Sequence, residues 1–85
     1  MKVKYEIEIE KSALKVLQKI PTSDRNKIIN SIEGLAFDPR PHGAKKLSGR
    51  DGWRIRIGNY RVIYEIEDHI CYILVLDVGH RKDIY

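Results

Sequence analysis

Three arginines flank a short glycine–asparagine pair in the second half of the chain: Arg54, Arg56 and Arg61 around Gly58-Asn59. A two-residue loop at this pair would form a β-hairpin with Arg56 directly opposite Arg61. Because side chains alternate along a strand, the three arginines would share one face. Like charges directly opposite each other destabilise a sheet, so this arrangement favours a bound polyanion such as a nucleic-acid backbone.

Arginines of this kind could support cleavage of an RNA phosphodiester without a metal. Their planar guanidinium groups can hold the phosphate in a fixed geometry and stabilise the charge that develops on it. Arginine stays protonated, so the general base must be another group. The candidates are Tyr85, whose pKa would be lowered by nearby cations, and His80. A third possibility, which we favour, is that Tyr85 only orients or stacks on a base while Arg81 assists the leaving 5′-oxygen.

The basic charge is concentrated in one segment of the chain. The net charge is +4, with 42% hydrophobic and 33% charged residues, but the segment 40–61 alone carries +6 and the remainder therefore −2. A local basic patch of this kind is typical of a phosphate-binding surface. Within it, Lys45, Lys46 and Arg50 are predicted to contact RNA backbone without taking part in the chemistry, with a solvated loop as the alternative.

The first half of the chain predicts one strand followed by two helices. Alternating apolar residues up to Ile9 indicate a half-buried strand, and helical spacing then begins near Ser12 and ends at Pro21. The second helix would be capped by Thr22 or Ser23. The residues expected on the buried sides of the two helices are Leu14, Leu17, Ile20, Ile28, Ile29, Ile32, Leu35 and Ala36.

Alternation with a period of two returns in the second half. It predicts the hairpin strands 53–57 and 60–66, a turn at Glu67-Asp68, and a last strand over 70–78 that is apolar on both faces and so covered on both sides. The expected order is β-α-α-β-β-β in a single domain of residues 1–85. This is an α+β fold, with two helices packed on one face of a small, mainly antiparallel sheet and the arginine face left open.

Other classes of protein are disfavoured by composition. The single cysteine, Cys71, lies in an apolar run and is expected to be a buried thiol without a disulfide partner. Three scattered histidines (His42, His69 and His80) lack the spacing of a metal site, so no metal or cofactor is expected. The longest apolar run, 70–76, is too short to span a membrane and no secretory signal precedes it, which indicates a cytoplasmic protein without a membrane partner.

Three stretches together resemble the RelE branch of the RelE/ParE toxin superfamily: 39–49 (PRPHGAKKLSG), 53–64 (WRIRIGNYRVIY) and 78–85 (VGHRKDIY). The likeness extends over essentially the whole chain. It implies a toxin of a type II toxin–antitoxin pair that enters the ribosomal A site and cuts mRNA there without a metal. Attack by the 2′-hydroxyl would leave a 2′,3′-cyclic phosphate and a 5′-hydroxyl.

The resemblance also assigns the candidate catalytic residues. By position, Arg54 and Arg56 match two basic residues of the family's active site, which are lysines in its best-known member. Arg61, Arg81 and Tyr85 match its arginines and its terminal tyrosine. Proton transfer by lysine at the first two positions is therefore not available to this chain.

The family likeness further implies the partners. A RelB-like antitoxin would fold onto the toxin, the ribosome would supply the A site and its rRNA, and promoter DNA would be contacted only indirectly through the antitoxin. Three alternatives stay open: a gyrase poison of the ParE type, a non-catalytic RNA-binding module, and a degenerate toxin that only binds its partner.

Overall fold

The computed structural model describes residues 3–80, and in this part of the chain five strands form one sheet with two helices packed against it. The elements in chain order are β1 (Glu6–Ile9), α1 (Lys11–Lys19), α2 (Thr22–Gly34), β2 (Lys45–Lys46), β3 (Trp53–Ile57), β4 (Tyr60–Glu67) and β5 (Tyr72–His80). The predicted α+β fold is confirmed, with β2 as an additional short strand.

The sheet has the strand order β1-β5-β4-β3-β2. β1 runs parallel to β5, and every other neighbouring pair is antiparallel. A parallel pair needs a crossover, and the two helices between β1 and the rest of the sheet supply it. β4 therefore lies at the centre, and the hairpin that it forms with β3 reaches toward the β2 edge.

The core lies between the helices and one face of the sheet. Its fully buried members include Leu17, Ile28, Val62, Tyr64 and Val75. On α1, Leu17 and Ile20 are buried as expected, but Leu14 keeps 44% of its surface exposed and Ala13 is buried in its place. The expectation for Leu14 was therefore wrong. Ala13 and Leu17, which are four residues apart, lie on the side of α1 that faces the sheet, and Leu14 is turned away from that side toward solvent.

The start of α2 also differs from the prediction. Pro21 is the N-cap residue, and neither Thr22 nor Ser23 caps the helix because both lie inside its first turn. The carbonyl oxygen of Pro21 accepts the first helical hydrogen bond from the amide of Arg25 at 2.8 Å. The extended conformation of a proline before a helix makes this start possible without a side-chain cap.

The last strand begins two residues later than predicted. A 3₁₀ turn over Asp68–Ile70 reverses the chain, and Cys71 follows it with φ 51°. Ile70 is therefore 66% exposed, and Cys71 is a half-buried turn residue, not a strand residue in the core. Leu74 is only half-buried, because it lies on the open face of the sheet between Glu8 and Glu65 while α1 packs on the other face of β5. Leu76 is also half-buried and lies at the irregularity in the pairing of β5 with β4.

Candidate nucleic-acid interface

The hairpin between β3 and β4 has the predicted register. Its two-residue turn places Gly58 at φ 59° while Asn59 keeps a negative φ, as in a type II′ turn. Ile57 pairs with Tyr60, and Arg56 pairs directly with Arg61. A two-residue turn closes on a hydrogen-bonded pair, so the next pair out, Arg56–Arg61, is of the non-hydrogen-bonded type in which side chains approach most closely.

A fourth cation joins the three arginines on the same face. Arg54 pairs with Ile63 on one side and with Lys45 on the other, so the side chains of Lys45 and Arg54 lie next to each other. We call the set Lys45, Arg54, Arg56 and Arg61 the basic face. The sequence indicated no strand at Lys45, because two residues are too few to establish a period.

Two other predicted RNA contacts lie off this face. Lys46 pairs with Trp53 and so projects to the opposite side of the sheet, where it is exposed. Arg50 is an exposed residue of the turn between β2 and β3. The structure thus brings Lys45 together with the arginines and leaves Lys46 and Arg50 at the periphery.

The cations of the basic face differ in their exposure. Arg56 and Lys45 are exposed and Arg54 is intermediate, whereas Arg61 retains only 7% of its surface. The expectation of a fully open arginine face was therefore wrong at Arg61. A guanidinium with little water around it interacts more strongly with a nearby anion than an exposed one, because the local dielectric constant is lower.

The far end of the same sheet face is acidic. In register, Glu6 and Glu67 flank Tyr72 while Glu8 and Glu65 flank Leu74. Burial and the nearby Glu8 carboxylate raise the pKa of the Tyr72 phenol. The open side of the sheet thus has a basic part at the hairpin and an acidic part formed by β1 and the far end of β4, and the exposed Asp77, which pairs with Ile63, also lies on this face. Repulsion by these carboxylates disfavours a polyanion at the acidic end. The carboxylates come from separate segments, so no local pattern in the sequence could reveal their clustering.

β5 brings the C-terminal part of the chain to the hairpin. Gly79 pairs with Arg61 and His80 with Tyr60, and the rings of His80 and Tyr60 contact edge-to-face with centroids 5.7 Å apart. Because paired residues share a face, His80 lies with Tyr60 on the helix side of the sheet, across from the basic face. The candidate residues Arg81 and Tyr85 lie outside the described residues.

The loop between α2 and β2 is held by an ion pair and an aromatic stack. The guanidinium of Arg40 donates to both carboxylate oxygens of Asp68, at 2.8 and 3.3 Å, and lies 5.1 Å from the centroid of the Trp53 ring. The hydroxyl of Tyr5 also donates to Asp68 at 2.8 Å. These two donors lower the pKa of Asp68 to about 2. The network fixes the segment that leads into β2, and so the approach of Lys45 to Arg54.

Tyr64, in the central strand β4, holds the same loop through a hydrogen bond. Tyr64 is fully buried, and its hydroxyl donates to the carbonyl oxygen of Pro39 at 2.7 Å. Burial raises the pKa of Tyr64 to about 12. Trp53 and Tyr60 pack against the core as half-buried side chains. All three aromatic side chains therefore contribute to the packing of the core.

Within residues 3–80, no group of three or more His, Cys, Asp or Glu side chains has the arrangement of a metal site. In that same part of the chain, no helix is long and apolar enough to cross a membrane.

Comparison with known proteins identifies relatives over nearly the whole chain. Residues 7–85 match the family model of the ParE toxin of type II toxin–antitoxin systems. The putative toxin RelE1 of Methanocaldococcus jannaschii is 35% identical over 89 aligned positions, which cover 98% of this chain and 97% of the relative.

Solved structures agree with this relationship. The archaeal RelE–RelB complex from Pyrococcus horikoshii matches with a TM-score of 0.84 at 29% identity, over 94% of this chain and 98% of that one. The toxin–antitoxin complex RelBE2 from Mycobacterium tuberculosis matches with a TM-score of 0.81 at 28% identity, over 95% of both chains. The sequence and the fold together place this chain in the RelE/ParE superfamily, as a RelE-like toxin of a type II toxin–antitoxin system.

Proposed function

We propose that this toxin is a metal-independent endoribonuclease that cuts mRNA in the ribosomal A site. The 2′-hydroxyl would attack the adjacent phosphorus and the 5′-oxygen would leave, giving a 2′,3′-cyclic phosphate and a 5′-hydroxyl. Such a protein acts in the cytoplasm, where its ribosomal substrate is found.

The pairing of Arg56 with Arg61 carries the proposal. The two guanidinium groups concentrate positive charge at one close cross-strand position, and Lys45 and Arg54 add a second pair of cations beside them. An anion that lies over this face is attracted by all of these cations. A phosphodiester fits best, because guanidinium groups bind its oxygens through paired hydrogen bonds.

Each basic residue takes a distinct part in this proposal. Arg56 is exposed and can engage the phosphate as the RNA arrives, and the largely desolvated Arg61 would stabilise the charge that develops during attack. Arg54 supports the pair from the neighbouring position. By family likeness, Arg81 serves the leaving 5′-oxygen and Tyr85 orients the substrate or stacks on a base.

Positioning and charge stabilisation would supply most of the rate, because arginine does not act as a general base. His80 is poorly placed for this role, since its ring packs on Tyr60 at the helix side of the sheet. Since Tyr85 orients or stacks in this proposal, the proton transfer would fall to a group that the ribosomal A site supplies.

The expected partners are an antitoxin and the ribosome. Solved relatives from Pyrococcus horikoshii and Mycobacterium tuberculosis are complexes of toxin with antitoxin. A RelB-like antitoxin for this chain would present acidic side chains to the basic face and so compete with RNA. The peripheral cations Lys46 and Arg50 would add contacts to the rRNA backbone.

Primer extension on an mRNA programmed into ribosomes tests the proposal. The wild-type protein should cut at the A-site codon and leave free mRNA intact, and the variants Arg56→Ala, Arg61→Ala and Arg81→Ala should lose at least about 10²-fold in rate. Lys27→Ala, an exposed cation on α2, is the matched control and should cut normally. Unchanged cutting by the Arg56→Ala and Arg81→Ala variants would overturn the catalytic assignment, and melting temperatures no lower than that of the wild type would show that a loss of cutting is not a loss of fold.

A gyrase poison is the second candidate, because the matching family model is that of the ParE toxin. This activity would produce DNA damage and would inhibit supercoiling by purified gyrase. Translation would continue at first in cells that express the protein. Intact mRNA on ribosomes together with gyrase inhibition would favour this candidate, whereas RNA binding without cleavage or gyrase inhibition would indicate a binding module or a degenerate toxin.

A further inference from the structure

A groove lies on the helix side of the sheet, between α2 and the outer edge of β3. Its volume is about 440 Å³, within the size range of sites for small ligands. Ile55, Ile57 and Pro41 supply apolar walls. The remaining lining comes from Ser31 and Gly34 of α2, His42 and Gly43 of the loop, and Arg56.

The backbone of Arg56 is available at the wall of this groove. Arg56 and Arg61 form a non-hydrogen-bonded pair, so the amide and carbonyl of Arg56 point away from β4, toward the outer edge of β3. At this edge, Arg54 pairs with Lys45, and the amide of Leu47 donates to the carbonyl oxygen of Gly52. β2 ends before it reaches Arg56, and within residues 3–80 no backbone hydrogen bond joins Arg56 to the loop.

The groove and the basic face lie on opposite sides of the sheet and meet at the free edge of β3. The side chain of Arg56 belongs to the basic face, its backbone forms this edge, and its neighbours Ile55 and Ile57 line the groove on the helix side. An RNA whose phosphate is held by Arg56 reaches the groove by turning around this edge, where β2 no longer covers β3. In a nucleic acid the part that adjoins the phosphate carries a base, which has flat apolar faces and an edge of hydrogen-bond donors and acceptors.

We propose that this groove binds the base of a nucleotide next to the phosphate held by the basic face, and that it contributes base preference to cleavage. The apolar walls would contact the faces of the base. The free amide and carbonyl of Arg56 would pair with an acceptor and a donor on its edge. This inference rests on the proposed function, because it takes RNA as the ligand of the basic face.

A substitution at Gly34 can fill the groove without disturbing the fold. Gly34 is the last residue of α2, and a Cβ built on it would meet nothing within 4 Å. Leucine is also a better helix former than glycine, so Gly34→Leu should fold at least as well as the wild type. Asn26→Leu, at an exposed position of α2 outside the groove, is the matched control.

NMR titration of amide signals with the four ribonucleoside 3′-monophosphates, compared with ribose 5-phosphate, tests the subsite directly. The nucleotides should perturb the amides of Gly34, Gly43 and Ile57, and at least one should bind about tenfold more tightly than ribose 5-phosphate, the gain expected from one or two hydrogen bonds to the base edge. Gly34→Leu should remove this gain, and Asn26→Leu should retain it. Equal affinities for nucleotides and ribose 5-phosphate, or perturbations confined to the basic face, would overturn the subsite.

Cleavage on programmed ribosomes gives an independent measurement. Gly34→Leu should cut with a changed distribution among A-site codons, whereas Asn26→Leu should reproduce the wild-type distribution. An unchanged distribution in Gly34→Leu would count against the subsite and leave the proposed nuclease function intact. Absence of cutting by the wild type, with nucleotide binding in the groove intact, would instead contradict the nuclease function.

Discussion

Replacing Arg56 with glutamine should stabilise the folded protein and weaken its binding to RNA. Arg56 faces Arg61 across the hairpin at a pair of the closely approaching type, and Arg54 and Lys45 lie on the same face. Glutamine removes one charge and keeps a side chain of similar length. Because Arg56 is exposed, its replacement should leave the packed core unchanged.

The expected gain in stability is small but measurable. Cross-strand pairs contribute roughly 0.2–1 kcal/mol, with like charges destabilising, and a domain of this size gains about 4–8 °C in melting temperature for each kcal/mol. Arg56→Gln should therefore melt about 1–8 °C above the wild type at low salt. The difference should shrink near 1 M salt, where the screening length falls to about 3 Å.

Thermal melts followed by circular dichroism at low and high salt measure this effect, with Lys46→Gln as the control. Lys46 pairs with Trp53, so its removal relieves no cross-strand repulsion and should leave the melting temperature nearly unchanged. In parallel, Arg56→Gln should reduce the salt dependence of single-stranded RNA binding by a slope of about 0.7. A lower melting temperature for Arg56→Gln at low salt would refute the expected repulsion between Arg56 and the other cations of the basic face.

Three other variants test the framework around the basic face. Tyr64→Phe removes the hydrogen bond to Pro39 and should lower the free energy of unfolding by about 0.5–1.5 kcal/mol in a denaturant titration, and an unchanged value would show that this bond does not stabilise the loop. Asp68→Asn should lower the melting temperature above pH 5. Because the folded pKa of Asp68 is near 2 and its ordinary value is 3.8, the difference from wild type should vanish as the pH falls from about 4 to 2, and a difference independent of pH would contradict the ion pair. Leu17→Ala should cost about 2–5 kcal/mol, whereas the exposed Leu14→Ala should cost less than about 0.5 kcal/mol, and equal losses would contradict the orientation of α1.

Local signals predicted the hairpin well. The register of Arg56 and Arg61 follows from a turn only two residues long, and alternation along β3 and β4 assigns their faces without information from the rest of the chain. The two helices and Pro21 between them were likewise evident from apolar spacing. Interactions between residues close in sequence are sufficient for these features.

Other features depend on contacts between distant segments. The side of α1 that is buried depends on how the helix docks, and the position of β5 beside both β1 and β4 requires a parallel pairing across more than sixty residues. The conformation of the loop between α2 and β2 was also not predictable from the sequence, because it is held by the ion pair of Arg40 with Asp68, two residues 28 positions apart in the chain.

The α+β fold class, the hairpin and the alignment of its three arginines were predictable from the chain alone, because turn length and side-chain alternation are properties of adjacent residues. Folding brought Lys45 beside the arginines, buried most of Arg61 and placed acidic residues at the other end of the same face. It also left the backbone of Arg56 free beside a groove. These properties arise from strand pairing and packing between segments far apart in the chain, and no local pattern specifies them.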